Sequence, residues 1–283
     1  PRRRVRGRPP GAEPRPRAPR LSNWRITPGA FDSGVILHVP HASKAIPESE
    51  LGRYLLDRNG LQAELDAITD ADTDRLAFAS AGLARKRPWI FENLFSRLLI
   101  DPERFDGPEE EMLAVGMGPV YLKTTRGEPL RPEDPADDER LMEAYYRPYA
   151  KALKALVAER LASLGGVLLI DIHSFPREAL PYELHKEQAR PGLDIGTHPV
   201  HTPLRLVDLI DSAWPGPTEL NQPFSGTYVP SGMYGKESRV KAVMLEIRRD
   251  YMSTWVDEED SGRREHPDIA AAVAAVIDSF QPG

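Results

Sequence analysis

The run Val-Leu-Leu-Ile-Asp-Ile-His-Ser at 167–174 decides the fold, because it stands directly behind the longest helical pattern in the chain. That pattern covers 137–164, is rich in Ala, Leu, Lys, Arg and Glu, and is closed by Gly165 and Gly166, as helices often are. A helix followed at once by an apolar strand is the alternation of an α/β sheet with crossover helices. Two further runs are of the same kind, Val-Ile-Leu-His-Val-Pro-His at 35–41 and Val-Met-Leu-Glu-Ile-Arg-Arg at 243–249. Apolar, β-branched runs of this length predict strands buried on both faces. Ligands of open α/β sheets collect beyond the carboxyl ends of the strands. His41, His173 and Glu246 could therefore meet, although more than 200 residues separate the first from the last. The pattern points to a metallohydrolase.

Working outward, the patterning predicts strands over 35–40, 97–101, 167–172 and 242–247. It predicts further helices over 49–57, 60–68, 71–82, 204–213 and 267–280. Asp70 stands where the N-cap of the 71–82 helix belongs, and Pro148 is expected to kink the long helix. Residues 106–136 carry Gly, Pro and a run of acids with little periodicity, and a loop of that length in a compact domain is usually functional or mobile. Segment 175–203 reads as irregular, and 221–235 is rich in Pro, Gly and Ser.

Composition sets the outer bounds. The first twenty residues hold eight Arg and six Pro against one Glu, a charge of +7 with almost nothing apolar to bury, so 1–22 is expected to be a disordered tail. It lacks the apolar core of a secretion signal. Removing its charge from the total of −6 leaves −13 on the remaining 263 residues, which argues against a folded body that binds nucleic acid through phosphates. No stretch is apolar for long enough to span a bilayer. With no cysteine, disulfides, thiolate catalysis and Cys-ligated zinc are excluded, and any metal must be held by His and carboxylate. A cytoplasmic protein with one catalytic domain over 23–283 is the expectation.

Each residue carries a plain reading beside the functional one. His38, His185 and His266 read as packed or surface histidines. His41 and His173 each end a buried strand beside a small polar residue, and two neutral imidazoles plus a carboxylate and an open position make a catalytic zinc site. For the carboxylate, Asp70 ranks first, Glu48 second and Asp74 third; the plain alternative for Asp70 is an ordinary N-cap. Asp171 shares a strand face with His173 and could orient its imidazole, or be a buried acid paired with an arginine. Glu246 lies inside an apolar strand, where a carboxylate is costly unless paired. It is either salt-bridged to Arg248 or Arg249, or a general base acting on a metal-bound water. Arg97 and Arg104 flank Asp101, and guanidinium forks there could clamp an acidic substrate or form structural ion pairs.

Several motifs together resemble the N-formylglutamate amidohydrolase family. His38-Val39-Pro40-His41 matches its His-x-Pro-His, Asp171-Ile172-His173-Ser174 its Asp-x-His-Ser, and Arg97, Asp101 and Arg104 its Arg-x-x-x-Asp-x-x-Arg. Pro223-Phe224-Ser225-Gly226 matches Pro-Phe-x-Gly, and Glu246-Ile247-Arg248-Arg249 the late Glu-Ile-Arg-Arg. The resemblance covers about 35–252 and implies a three-layer α/β/α sandwich with a mixed sheet, similar to zinc carboxypeptidases. It implies zinc held by His41, His173 and an acid, for which Asp70 in Thr-Asp-x-x-Thr-Asp is the substitute, since the third residue after His41 is Lys44. It implies Glu246 as base in cleaving N-formyl-L-glutamate or a related N-acyl amino acid. Arg97, Arg104 and Arg248 would clamp carboxylates, Asn221 and the 223–228 loop would line the pocket, and His201 would be a further contact.

Three departures bear on the substrate. His-Ser-Gly becomes His41-Ala42-Ser43, the Asn of Asp-x-Asn-Arg becomes Glu103, and Pro-Tyr-His becomes Pro148-Tyr149-Ala150. An added acid facing the pocket would repel glutamate, so a different N-acyl amino acid is also consistent. Rival readings are a zinc carboxypeptidase or peptidoglycan amidase acting on a peptide, which a long open groove would favour, and a catalytically silent binding protein of the same fold. The sequence does not give the oligomeric state.

Overall fold

A computed structural model of the 283-residue chain describes residues 22–261 and 268–281. The Arg/Pro-rich stretch through residue 21, and with it all but the last residue of the expected tail, lies outside the described residues, as does His266. Seven strands form one sheet: β1 (Trp24–Thr27), β2 (Val35–Val39), β3 (Trp89–Asn93), β4 (Val167–Phe175), β5 (Leu193–Gly196), β6 (Thr218–Leu220) and β7 (Val240–Arg248). Their order is β1-β3-β2-β4-β7-β5-β6. The four central strands are parallel, while β1 runs antiparallel to β3 and β5 antiparallel to β7, with β6 parallel to β5, so the sheet is mixed. The helices are α1 (Glu48–Leu51), α2 (Arg58–Ile68), α3 (Thr73–Leu83), α4 (Pro135–Leu141), α5 (Arg147–Leu164), α6 (Leu204–Ala213), α7 (Arg249–Ser261) and α8 (Ile269–Ser279).

The period of two along a strand sorts the core into layers. Leu37, Leu168, Ile170, Val243 and Leu245 point to one face and pack with α3, α6, α7 and α8. Ile36, Leu169 and Ala242 point to the other and pack under Tyr149, Leu153 and Val157 of α5. Helices thus cover both faces. On the α5 side the same alternation continues into polar residues: His38 pairs in register with Asp171, and His173 with Glu246. Beyond the start of α5, α2 and the 94–131 segment close over that end through a second apolar cluster containing Ile68, Leu98, Met112 and Tyr121.

Several expectations need correction. Residues 97–101 are buried but form a turn, because their backbone is satisfied locally: Leu99 N donates to the Ser96 carbonyl at 2.9 Å and Leu98 N to Ser96 Oγ at 3.1 Å. An apolar run of five cannot by itself distinguish these outcomes. The strands β1, β3, β5 and β6 carried too short a signal to be read. The helix expected over 49–57 is the single turn α1, and Asp57 instead caps α2, accepting from Gly60 N at 2.7 Å. Asp70 is not an N-cap: α3 begins after Asp72 (φ 64°), and the Asp70 side chain points elsewhere. The long helix is divided by a π-helical stretch at Met142–Tyr146 just before Pro148, where the missing proline N–H interrupts the α-helical ladder. The 106–136 loop is a packed cover, with Met112, Met117, Tyr121 and Leu130 buried.

Candidate active site

The site grows from the carboxyl ends of β2 and β4. Chain reversal at Pro40 leaves the His41 carbonyl free to accept from Asp70 N at 3.0 Å, which draws the α2–α3 junction over the end of β2. His173 reaches the same point from β4. Asp70 Oδ2 lies 3.0 Å from His173 Nδ1 and 3.6 Å from His41 Nδ1, and the two ring nitrogens are 3.3 Å apart. All three residues are buried.

The opposite ring nitrogens both face acids, but only that of His41 is hydrogen-bonded. His41 Nε2 donates to Asp101 Oδ1 at 2.9 Å, which leaves its Nδ1 as a lone-pair donor facing Asp70. His173 Nε2 sits 3.2 Å from both Asp171 Oδ2 and Glu103 Oε2, neither in good hydrogen-bond geometry. Zinc–nitrogen bonds of about 2.0–2.1 Å in a tetrahedral site place neighbouring donors about 3.3 Å apart, so edges of 3.0, 3.3 and 3.6 Å fit such an ion without rearrangement. His41, Asp70 and His173 could therefore hold a metal.

Asp101 is itself clamped. Its Oδ2 accepts from Arg97 Nη2 at 2.7 Å and from the Tyr121 hydroxyl at 2.5 Å. Burial works against its ionisation, but the Arg97 guanidinium and His41 outweigh burial and hold the carboxyl well below its usual range. Behind the metal-ligand candidates, His38 Nδ1 donates to Asp171 Oδ1 at 2.8 Å and His38 Nε2 meets the Tyr149 hydroxyl at 2.6 Å. Burial lowers the His38 pKa, yet the charges of Asp171 and Glu103 overcome this and raise it to about 9.

Glu246 forms no salt bridge with either following arginine. Arg248 donates to Asp250 at 2.7 and 3.0 Å and to the Arg190 carbonyl, and Arg249 to the Ala67 carbonyl at 3.0 Å. Glu246 Oε2 is buried without a partner. Burial, with the charges of Asp70 and Asp194 added, pushes its pKa up to about 8 against the opposing pull of His173 and Arg97. Asp194 stands opposite Glu246 across the β5–β7 pair and accepts from Gln222 N at 2.9 Å and Phe224 N at 2.8 Å, fixing the loop that follows β6. Gly196 permits that loop to approach, since a Cβ there would strike the Gly226 carbonyl.

These groups face a cavity of about 170 Å³ lined by His41, Asp70, Arg97, Glu103, Arg104, His173, Glu246 and Arg249, with Pro223, Phe224 and Ser225 forming one wall. The volume suits a ligand of amino-acid size; drug-sized ligands occupy about 300 Å³ or more.

Not every expected residue arrives there. Arg248 is spent on Asp250, away from the cavity. Asn221, in a left-handed conformation, uses its side chain on Thr197 and Gly226 N, so it shapes the loop from outside. His201 is buried between the Val240 carbonyl and Gly235 N and has no free ring nitrogen. Of the alternative acids, Glu48 is exposed on α1, and Asp74 lies in the first turn of α3 outside the group of converging donors. His185, read as packed or superficial, lies on the cavity wall. Asp194 has no signal in the sequence because β5 is only four residues long, and Arg249 is named there only as a salt-bridge partner for Glu246.

A profile of the N-formylglutamate amidohydrolase family matches residues 33–253. The fold is similar to a crystal structure of N-formylglutamate amidohydrolase from Ralstonia eutropha JMP134, at 20% identity and TM-score 0.69, covering 91% of this chain and 95% of that one. It is also similar to a gene product of Agrobacterium tumefaciens, at 19% identity and TM-score 0.66, covering 91% and 94%. No curated protein matches in sequence.

Proposed function

Because the chain belongs to the N-formylglutamate amidohydrolase family, we propose that it is a zinc-dependent amidohydrolase. Its substrate is N-formyl-L-glutamate or a related N-acyl amino acid, cleaved with water to the free amino acid and formate or another carboxylate. The observation that carries the reading is the convergence of His41, Asp70 and His173 donors at 3.0–3.6 Å beside an unpaired buried carboxylic acid, Glu246. His41, Asp70 and His173 would hold the ion. When bound, zinc would polarise the acyl carbonyl and acidify a water molecule.

The chain's own groups do the rest. Asp101 orients the His41 imidazole so that it presents Nδ1, and His173 Nδ1 faces Asp70 at 3.0 Å. Glu246 takes a proton from the attacking water and returns it to the leaving nitrogen, the two halves of one acid/base cycle. A cation bound beside Glu246 would oppose the rise that burial gives its carboxyl and favour the ionised form that the base needs. Arg104 lines the cavity beside Asp101 and would present its guanidinium to a substrate carboxylate. Glu103 faces the cavity but is balanced by His38 and His173, so it need not repel a glutamate side chain.

The compact cavity favours an amino-acid derivative over a peptide. A cytoplasmic location and a single catalytic unit over 23–283 belong to the same proposal; no helix among the described residues is long and apolar enough to cross a membrane. The test is formate release from N-formyl-L-glutamate by the purified protein, before and after chelation and with zinc restored. Chelator-sensitive, zinc-restored turnover supports the proposal. Turnover indifferent to chelation would remove the metal from it, and none on a panel of N-acyl amino acids with zinc bound would remove the activity.

A further inference from the structure

The arginines around the cavity differ in how much of each guanidinium is already committed. Arg97 spends Nε and Nη2 on Asp101 and shares Nε with the Tyr121 hydroxyl at 3.0 Å. Arg190 is paired with Glu183 and the Pro176 carbonyl, and Arg248 with Asp250. Arg249 is different. It stands on the cavity wall three residues beyond Glu246, and its one hydrogen bond runs from Nη1 to the Ala67 carbonyl. Its Nε is buried without a partner, and no carboxylate among the described residues pairs with it.

A mostly buried cation with no anion is costly, and a ligand carboxylate is the group that would offset the cost. The planar fork accepts a carboxylate through two parallel N–H donors, which fixes orientation as well as charge. The Ala67 contact leaves Nε and Nη2 for that purpose while holding the guanidinium still.

Arg104 also lines the cavity, but it is already ion-paired, with Nη1 3.8 Å from Glu110 Oε1. Its Nε is 3.4 Å from Asp101 Oδ2, and the other oxygen of Asp101 accepts from His41. Arg104 is therefore one carboxylate removed from the metal-ligand group. An α-carboxylate, borne by the same carbon as the scissile nitrogen, must stay close to the reacting centre and belongs with Arg104.

We propose that Arg249 is the specificity-determining residue of this cavity, the cation that receives the second carboxylate of the substrate, the one remote from the scissile amide. This rests on the amidohydrolase reading and narrows it to acyl derivatives of acidic amino acids.

The experiment compares kcat/KM for N-formyl-L-glutamate and N-formyl-L-glutamine in the zinc-loaded wild type, Arg249→Gln and Arg249→Lys. The ratio of the two cancels any loss of folded fraction. The wild type should favour the glutamate derivative, and Arg249→Gln should collapse the ratio by about 10- to 100-fold, mainly through KM, as charge-assisted hydrogen bonds imply. Arg249→Lys should fall between. An unchanged ratio overturns the proposal, and so does an equal fall for both substrates, which would place the α-carboxylate at Arg249.

If the wild type turns over neither compound, the amidohydrolase reading has failed. Calorimetric binding of glutarate against butyrate then decides Arg249 separately. Preference for glutarate that disappears in Arg249→Gln supports the carboxylate site; no preference in the wild type, or one that survives the substitution, ends it.

Discussion

On the α5 face, strands β2, β4 and β7 begin in one chemistry and finish in another at equal depth. Leu169 is 0% exposed, Asp171 1% and His173 3%. Under α5, Ile36, Leu169 and Ala242 are held by non-directional apolar burial, so volume is what matters. At the carboxyl ends, the same depth obliges His38, Asp171, His173 and Glu246 to find partners or a cation. Burial therefore stabilises one region and imposes a desolvation cost on the other. The polar end is held by pairs such as His38–Asp171 and His41–Asp101, while Glu246 Oε2 is among the buried atoms with no hydrogen-bond partner.

The largest expected effects strike the polar end without unfolding the apolar one. His41→Ala should lose stoichiometric zinc and, with it, turnover; full zinc occupancy in that variant would refute the assigned ligands. Glu246→Gln should keep zinc and lower kcat by roughly 10²–10⁴-fold, the usual contribution of a general base; a fully active variant removes it from the mechanism.

Asp101→Asn should weaken zinc binding by about 10- to 100-fold in a chelator competition, because the His41 imidazole loses its charged acceptor. Circular dichroism should be unchanged, and wild-type affinity would show that the ring is held by packing alone.

The apolar end should respond in the opposite sense. Leu169→Ala should cost about 2–5 kcal/mol in denaturant unfolding while the folded fraction binds zinc normally. If zinc affinity fell as far as in Asp101→Asn, the two ends would not be separable.

The smallest effect is a pH slope in the metal-free protein. With its pKa at about 8 against an ordinary 4.5, Glu246 keeps a proton in the folded chain that the unfolded chain has released, so stability falls as pH rises between those values. His38 acts in the same direction, contributing fully below 6.5 and losing its contribution as pH passes about 9. Glu246→Gln should flatten the thermal melting profile from pH 5 to 8 by about 1 kcal/mol per pH unit. An unchanged profile would mean that Glu246 is ionised across that range.

Much of the fold was legible where apolar runs were long. The runs beginning at Val35, Val167 and Val243 each mark a central strand, and the Ala/Leu-rich stretch ending at Gly165 marks α5, because a long pattern outvotes local ambiguity. The remaining strands were not legible, since three to five residues such as Thr218–Leu220 carry too little periodicity. Within the candidate site, His41, His173 and Glu246 could be picked out by their place at strand ends. Asp70 was singled out from other acids by its setting, with an N-cap as its alternative role. Arg97, Arg248 and Arg249 could not be ranked, because a guanidinium's role depends on whether its donors are already taken, and those partners lie up to 182 residues away in the chain.

By itself, the sequence determined an α/β architecture and the residue types available to a metal, because strand burial and the lack of cysteine are properties of local order and composition. Only the tertiary structure decided which acid meets the two histidines, which arginine stays unpaired and that Glu246 has no salt bridge. Those outcomes are distances of a few ångströms between residues far apart in the chain, and they follow from how the α2–α3 junction and the 222–226 loop close over the sheet.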